Sequence, residues 1–160
     1  PQALDELGLV DAIRQRAVHL RAADGRPLAV TVDVPERLPS LPAAVEVAVY
    51  RVAVEAVTNI ARHSGTASAA IALRLSGPAS LRLTVTDTGH HTTPWRQGVG
   101  IQSMHERVER IGGRLTLRTT PQGATVTADL PLALGDTAED PAANGSGAAP
   151  VSEQAYQLDP

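Results

Sequence analysis

Cysteine, lysine and phenylalanine are all missing from this 160-residue chain. Without cysteine there is no disulfide, no thiolate nucleophile and no sulfur ligand for a metal. Without lysine there can be no Walker phosphate loop, no strand lysine of the eukaryotic protein-kinase type and no Schiff-base chemistry. A nucleotide, if one binds, must be held by another route. All 14 basic residues are arginine, and the aromatic set is one Trp and two Tyr. The core must therefore be built from Val, Leu, Ile and Ala. No apolar run approaches the length of a membrane span, and the opening "PQALDELGL" has none of the regions of a signal peptide. A first residue other than Met is expected of a fragment cut from something longer.

What is present suits one folded domain. Hydrophobic residues make up 42% of the chain, and its length allows a real core. Charge is uneven. The segment 133–160 holds Asp136, Glu139, Asp140, Glu153 and Asp159 and no base. The remaining 1–132 carries 14 Arg against 12 acids, a net of +2, too weak for a nucleic-acid partner. The tail is Ala, Gly, Pro, Ser and acid without apolar periodicity, so it is expected to be disordered.

Periodicity organises the rest. "LVDAIRQRAVHL" (9–20) has helical spacing, and "LAVTVDV" (28–34) alternates like a strand. A Pro-punctuated loop leads to a helix over 43–63, with Ser40 expected to cap it, Pro42 in its first turn and Gly65 just past its end. "ASAAIALRL" (67–75) and "LRLTVTD" (81–87) read as a hairpin. A helix over 101–111 stops at Gly112-Gly113, and a second hairpin follows around "PQG". The expected fold is α/β (α+β): a two-layer sandwich of one mixed, mostly antiparallel sheet with helices on one face.

Two carboxylates stand in awkward places. On the helix 43–63, Val45, Val49, Val52, Ala56 and Ile60 form the buried stripe. Glu55, Asn59 and Arg62 share a line along its edge. A carboxylate there is partly desolvated and needs a partner. It is either half of a Glu–Arg pair flanking the core or part of a site made of carboxylate, amide and guanidinium. Asp87 is in phase with Leu81, Leu83 and Val85, so it is aimed inward at a strand end. It could cap its loop through an Asx-turn onto Gly89, or it could face a ligand. Gly98 and Gly100 then open a helix, whose free N–H groups and positive dipole end suit an anion.

In order and spacing, these residues resemble the ATPase domain of bacterial sensor histidine kinases. "EVAVYRVAVEAVTNIARHS" is similar to their asparagine box and "LTVTDTG" to their first glycine box. "GVGIQSMHERVERIGGRL", followed by "TTPQGATVTADLP", resembles the second glycine box and closing hairpin. The wording is closest to the nitrate-sensor subfamily, and "LDELGLVDAI" looks like the join to that subfamily's dimerisation helices. The resemblance implies the Bergerat ATP-binding fold, shared with gyrase and a heat-shock chaperone, which needs no phosphate-loop lysine. It divides the chain into a linker end (1–8), an ATP-binding domain (9–132) and the acidic tail (133–160).

Carried over by position, the resemblance makes Asn59 a Mg²⁺ ligand and gives Glu55 the task of polarising or positioning the reacting group. Arg62 and His63 would lie near the phosphates. Asp87 would accept a hydrogen bond from the adenine amino group, supported by Gly89 and Thr125. Gly98, Val99, Gly100 and Ile101 would cradle phosphate. The loop between Asp87 and Gly98 would be a mobile lid over ATP. In it His90, His91 and Trp95 either touch nucleotide, dock on a partner domain or stand in solvent. His91 occupies a position where the family usually has Gly, which bears on lid flexibility. His90-His91 lack the further ligands of a zinc site.

None of His19, His63, His90, His91 or His105 has the context of a phosphoacceptor. The implied partners are therefore a dimerisation domain bearing that histidine, in a homodimeric full-length protein, and a response regulator. The implied location is cytoplasmic, with no direct membrane contact by this domain. The rival expectations are a serine kinase acting on an anti-anti-sigma factor and a non-catalytic ATP-sensing module, both on the same fold.

Overall fold

The computed structural model describes residues 1–87, 89 and 98–133. Most of the expected lid, with His90, His91 and Trp95, and the tail from 134 lie outside the described residues. The elements run α1 (Gln2–Leu7), α2 (Leu9–Val18), β1 (Ala29–Asp33), α3 (Ala43–His63), β2 (Ser68–Leu75), β3 (Ser80–Asp87), α4 (Val99–Arg110), β4 (Arg114–Thr120) and β5 (Gly123–Pro131).

The strands form one sheet in the order β1-β2-β3-β5-β4. Only β1 and β2 are parallel, joined through α3; the other pairings are antiparallel. This is the mixed, mostly antiparallel sheet that the alternation implied. Its register explains the core. Ile71 lies opposite Val85 and Leu73 opposite Leu83 on one side of β3, while Val126 and Ala128 oppose Val85 and Leu83 on the other. All are buried on the face that the helices cover. There α2 packs on β1, α3 on β2, β3 and β5, and α4 on β4 and β5, with α3 touching both other helices.

The opposite face carries the out-of-phase residues. Thr84 and Thr86 of β3 pair with Thr127 and Thr125 of β5. Next to them Arg82 forks onto Asp129, with Nε–Oδ1 at 2.7 Å and Nη2–Oδ2 at 3.1 Å. Arg74 reaches Asp33 across β2 and β1.

The helix α3 is rich in Val, a weak helix former, so packing rather than propensity holds it. Val45, Val49, Val52, Ala56 and Ile60 are each fully buried, as the stripe required. Both of its ends depart from expectation. Ser40 does not cap it; Pro42 is the N-cap residue and no side chain caps the turn. Pro42 still fits, because it has no N–H and its φ is pre-set. At the other end Ser64 is extended and Gly65 takes no positive φ, so the helix ends without a left-handed glycine.

The end of α4 is the opposite case. Gly112 has φ 77, its N–H reaches the Glu109 carbonyl, and the Gly113 N–H reaches that of Val108. This paired closure is a Schellman motif. Residues 2–7, expected as linker, form a short helix because Leu4 joins the core beside Leu9 and Ile13.

Candidate functional site

The site is built along α3. Glu55 and Asn59 are half-buried at the edge of its apolar stripe, whereas Arg62 and His63 in its last turn are exposed. The line that the sequence drew through Glu55, Asn59 and Arg62 thus climbs from the core towards solvent. From Glu55 to Ser64 the helix rises about 13 Å.

At the C-terminal end of that line lies Asp87, the last residue of β3, only 7% exposed. The Asx-turn reading of it holds, and the side chain keeps its inward phase. Its carboxylate is turned to the helix side of the sheet, and its Oδ1 accepts the Gly89 N–H at 2.7 Å. The Asx-turn thus anchors an inward acid and fixes its direction.

Gly89 is buried as well, and a Cβ on it would collide with the Ser64 hydroxyl. That Cβ would also stand 3.2 Å from both Asp87 Oδ1 and the Gly65 backbone nitrogen. Ser64 was missed in the sequence. It is 4% exposed, and its Oγ accepts the Thr66 N–H at 3.1 Å. The signal was present in "HSGT", a serine two residues before a possible N–H partner just past a helix end. Ser64 joins the end of α3 to the end of β3.

At the other end of the line lies the start of α4. Gly98 is its N-cap residue, with no side-chain cap and no acid in the first turn. The carboxyl of Glu55 reaches this turn from α3, and Gly100 is the residue it lies against. Val99 is 88% exposed, while the Ile101 side chain is in the core, leaving only its backbone for a ligand.

Thr125 does not join the others. It pairs with Thr86, so its side chain lies on the sheet face away from Asp87. Ala124, buried and in phase with Val126, Ala128 and Leu130, lines the helix side instead. Alternation along "GATVTADLP" carries this information, and it overrides the positional carry-over.

The residues present fit ATP. An inward carboxylate matches an adenine amino donor, and an uncapped helix start offers N–H groups to phosphate. No three His, Cys, Asp or Glu among the described residues form a metal cluster.

Comparison with known proteins places the chain in a family. Residues 44–134 match the family described as histidine kinase-, DNA gyrase B-, and HSP90-like ATPase. The sensor histidine kinase MctS of Rhizobium johnstonii is 32% identical over 82% of this chain and 29% of its own length. YxjM of Bacillus subtilis is 39% identical over 58% of this chain and 23% of its own. NarS of Mycobacterium tuberculosis is 30% identical over 82% of this chain and 31% of its own. The chain thus spans less than a third of each relative. Among solved structures, the Erythrobacter litoralis EL346 blue-light activated histidine kinase superposes with a TM-score of 0.64 at 22% identity. That match covers 82% of this chain and 44% of the other, and it carries the fold. The chain belongs to the histidine kinase-, DNA gyrase B- and HSP90-like ATPases, and it is an ATP-binding domain of the kind that sensor histidine kinases contain.

Proposed function

We propose that this chain is the catalytic domain of a sensor histidine kinase, donating the γ-phosphoryl group of ATP to a histidine on a dimerisation domain. A response regulator receives the group next, and the wording of the boxes favours the nitrate-sensor-like branch. The observation that carries the proposal is the order along α3. Asp87 and Ser64 stand at one end, Asn59 lies between, and Glu55 stands at the start of α4.

When bound, ATP supplies the transferable phosphoryl group and Mg²⁺ neutralises its charge. The chain's own residues bind and orient. Asp87 accepts from the adenine amino group and, held by Gly89, excludes a ring that presents an acceptor there. Asn59 offers an amide oxygen to the metal. First-turn N–H groups of α4, at Gly98 and Val99, face phosphate, and Arg62 and His63, exposed in the last turn of α3, add cationic and polar cover on the Asp87 side of the site. Glu55 takes or orients the imidazole proton of the incoming histidine. The proposed setting is cytoplasmic; no helix among the described residues is long and apolar enough to cross a membrane.

The test supplies a dimerisation domain of this kinase class in trans, with Mg²⁺ and radiolabelled ATP. Acid-labile, base-stable label on the dimerisation domain is expected. Nucleotide binding without transfer would favour the ATP-sensing rival, and acid-stable label on a serine would favour the serine kinase.

A further inference from the structure

Gly100 is the second helical residue of α4, a position where glycine is a poor choice on propensity alone. A Cβ built there would clash with Glu55 Oε1 at 2.0 Å, and it would lie 3.0 Å from Glu55 Cδ and 3.6 Å from Cγ. The three nearest atoms all belong to Glu55; none is backbone. The Glu55 carboxyl therefore fills the volume that a side chain at 100 would occupy. Nothing in α4 itself caps this turn, since Gly98 has no side chain and the first turn has no acid. A carboxylate is the group that free N–H groups and the positive end of a helix dipole favour. The Glu55 carboxyl, forty-five residues away in sequence, stands beside this turn.

We propose that Gly100 is a positioning residue for Glu55. Its missing side chain is a seat that holds the carboxylate against the first turn of α4. The direction of Glu55 is thereby set by α4, the helix that follows the lid segment. Gly100 acts through Glu55, and its job is distinct from cradling phosphate. The proposal rests on the reading of Glu55 as the group that meets the acceptor histidine. The obstructing atoms are the far end of a flexible side chain, so alanine at 100 displaces the carboxylate and spares the backbone. Fold and nucleotide affinity should then separate from transfer.

The experiment uses the full chain as Gly100→Ala, Glu55→Ala and the double variant. Unliganded melting, calorimetric titration with Mg²⁺-ADP and transfer to a supplied dimerisation domain are measured for each. G100A should keep Mg²⁺-ADP affinity within about threefold. It should slow transfer on the order of tenfold or more, towards the rate of E55A, the scale of a lost acid–base group. In the E55A background it should slow transfer no further, because residues that act as a unit are not additive.

Melting gives a reading that needs no nucleotide. With Glu55 gone, G100A should raise the melting temperature by about 3 °C, the gain of Ala over Gly in a helix. With Glu55 present the gain should shrink or reverse. If G100A fails to fold, the double variant must still melt at or above E55A, and unfolding of both would overturn the seat. Additive melting effects would overturn it too, as would a more than tenfold loss of ADP affinity in both backgrounds, which would return Gly100 to phosphate. Coupled melting with transfer untouched by either substitution would keep the seat and remove Glu55 from the reaction.

Discussion

The two ends of the site use the same device with different hardware. At each, a glycine without a side chain lies against a polar group from α3 or its end. At the Asp87 end, Gly89 meets Ser64, a short, buried side chain tied to the Thr66 N–H, with backbone close behind it. At the α4 end, Gly100 meets the tip of Glu55, a long, half-buried side chain. Two fewer rotatable bonds make the first contact stiff and leave the second adjustable. Recognition of a rigid aromatic base needs a fixed acceptor. On the proposed function, Glu55 meets a histidine arriving on another domain and gains from being steerable.

Substitutions can break this contrast, and the largest effect is expected at the adjustable end. Glu55→Gln should leave Mg²⁺-nucleotide affinity nearly unchanged and lower transfer to a supplied dimerisation domain by on the order of 10²-fold or more. Equal losses in binding and transfer would mean that Glu55 holds nucleotide and does not serve the reaction.

Asp87→Asn comes next. It keeps the shape, removes the charge and lets an amide flip to donate. It should lose roughly 2–3 kcal/mol of ATP affinity and narrow the preference for ATP over GTP. Calorimetric titration of both nucleotides into both proteins decides this, and equal wild-type affinities would reduce Asp87 to its turn with Gly89. Asn59→Ala should abolish most of the tightening that Mg²⁺ gives to ATP binding, read from titrations with and without the ion.

Gly89→Ala sharpens the stiffness argument. The added methyl faces Ser64 Oγ and the Gly65 backbone in a buried place, so about 1–3 kcal/mol of stability should be lost in urea unfolding. Ser64→Ala in that background should restore part of it. A harmless Gly89→Ala would show the two ends to be equally soft. Thr125→Val should have the smallest effect, within about 0.5 kcal/mol in nucleotide affinity, because its side chain is on the far face of the sheet. A larger loss would show that Thr125 reaches the nucleotide after all.

The sequence alone determined whatever depends on short-range period. The bounds of α3, the buried stripe along it, the inward phase of Asp87 and the glycine stop of α4 all follow from 3.6- and 2-residue repeats. So did the outward face of Thr125, although resemblance by position pointed the other way. Caps were less legible. Ser40 had the right chemistry for an N-cap, but the chain enters α3 through Pro42 and the core sets where the first turn begins.

Only the tertiary structure decided which glycine meets which side chain. Gly89 meets Ser64 because β3 ends beneath the end of α3, and Gly100 meets Glu55 because α4 packs beside α3 over β5. Periodicity fixes the face a residue takes on its own element. It carries no information about the neighbour, because sheet order and helix packing are settled by burying all the apolar faces together.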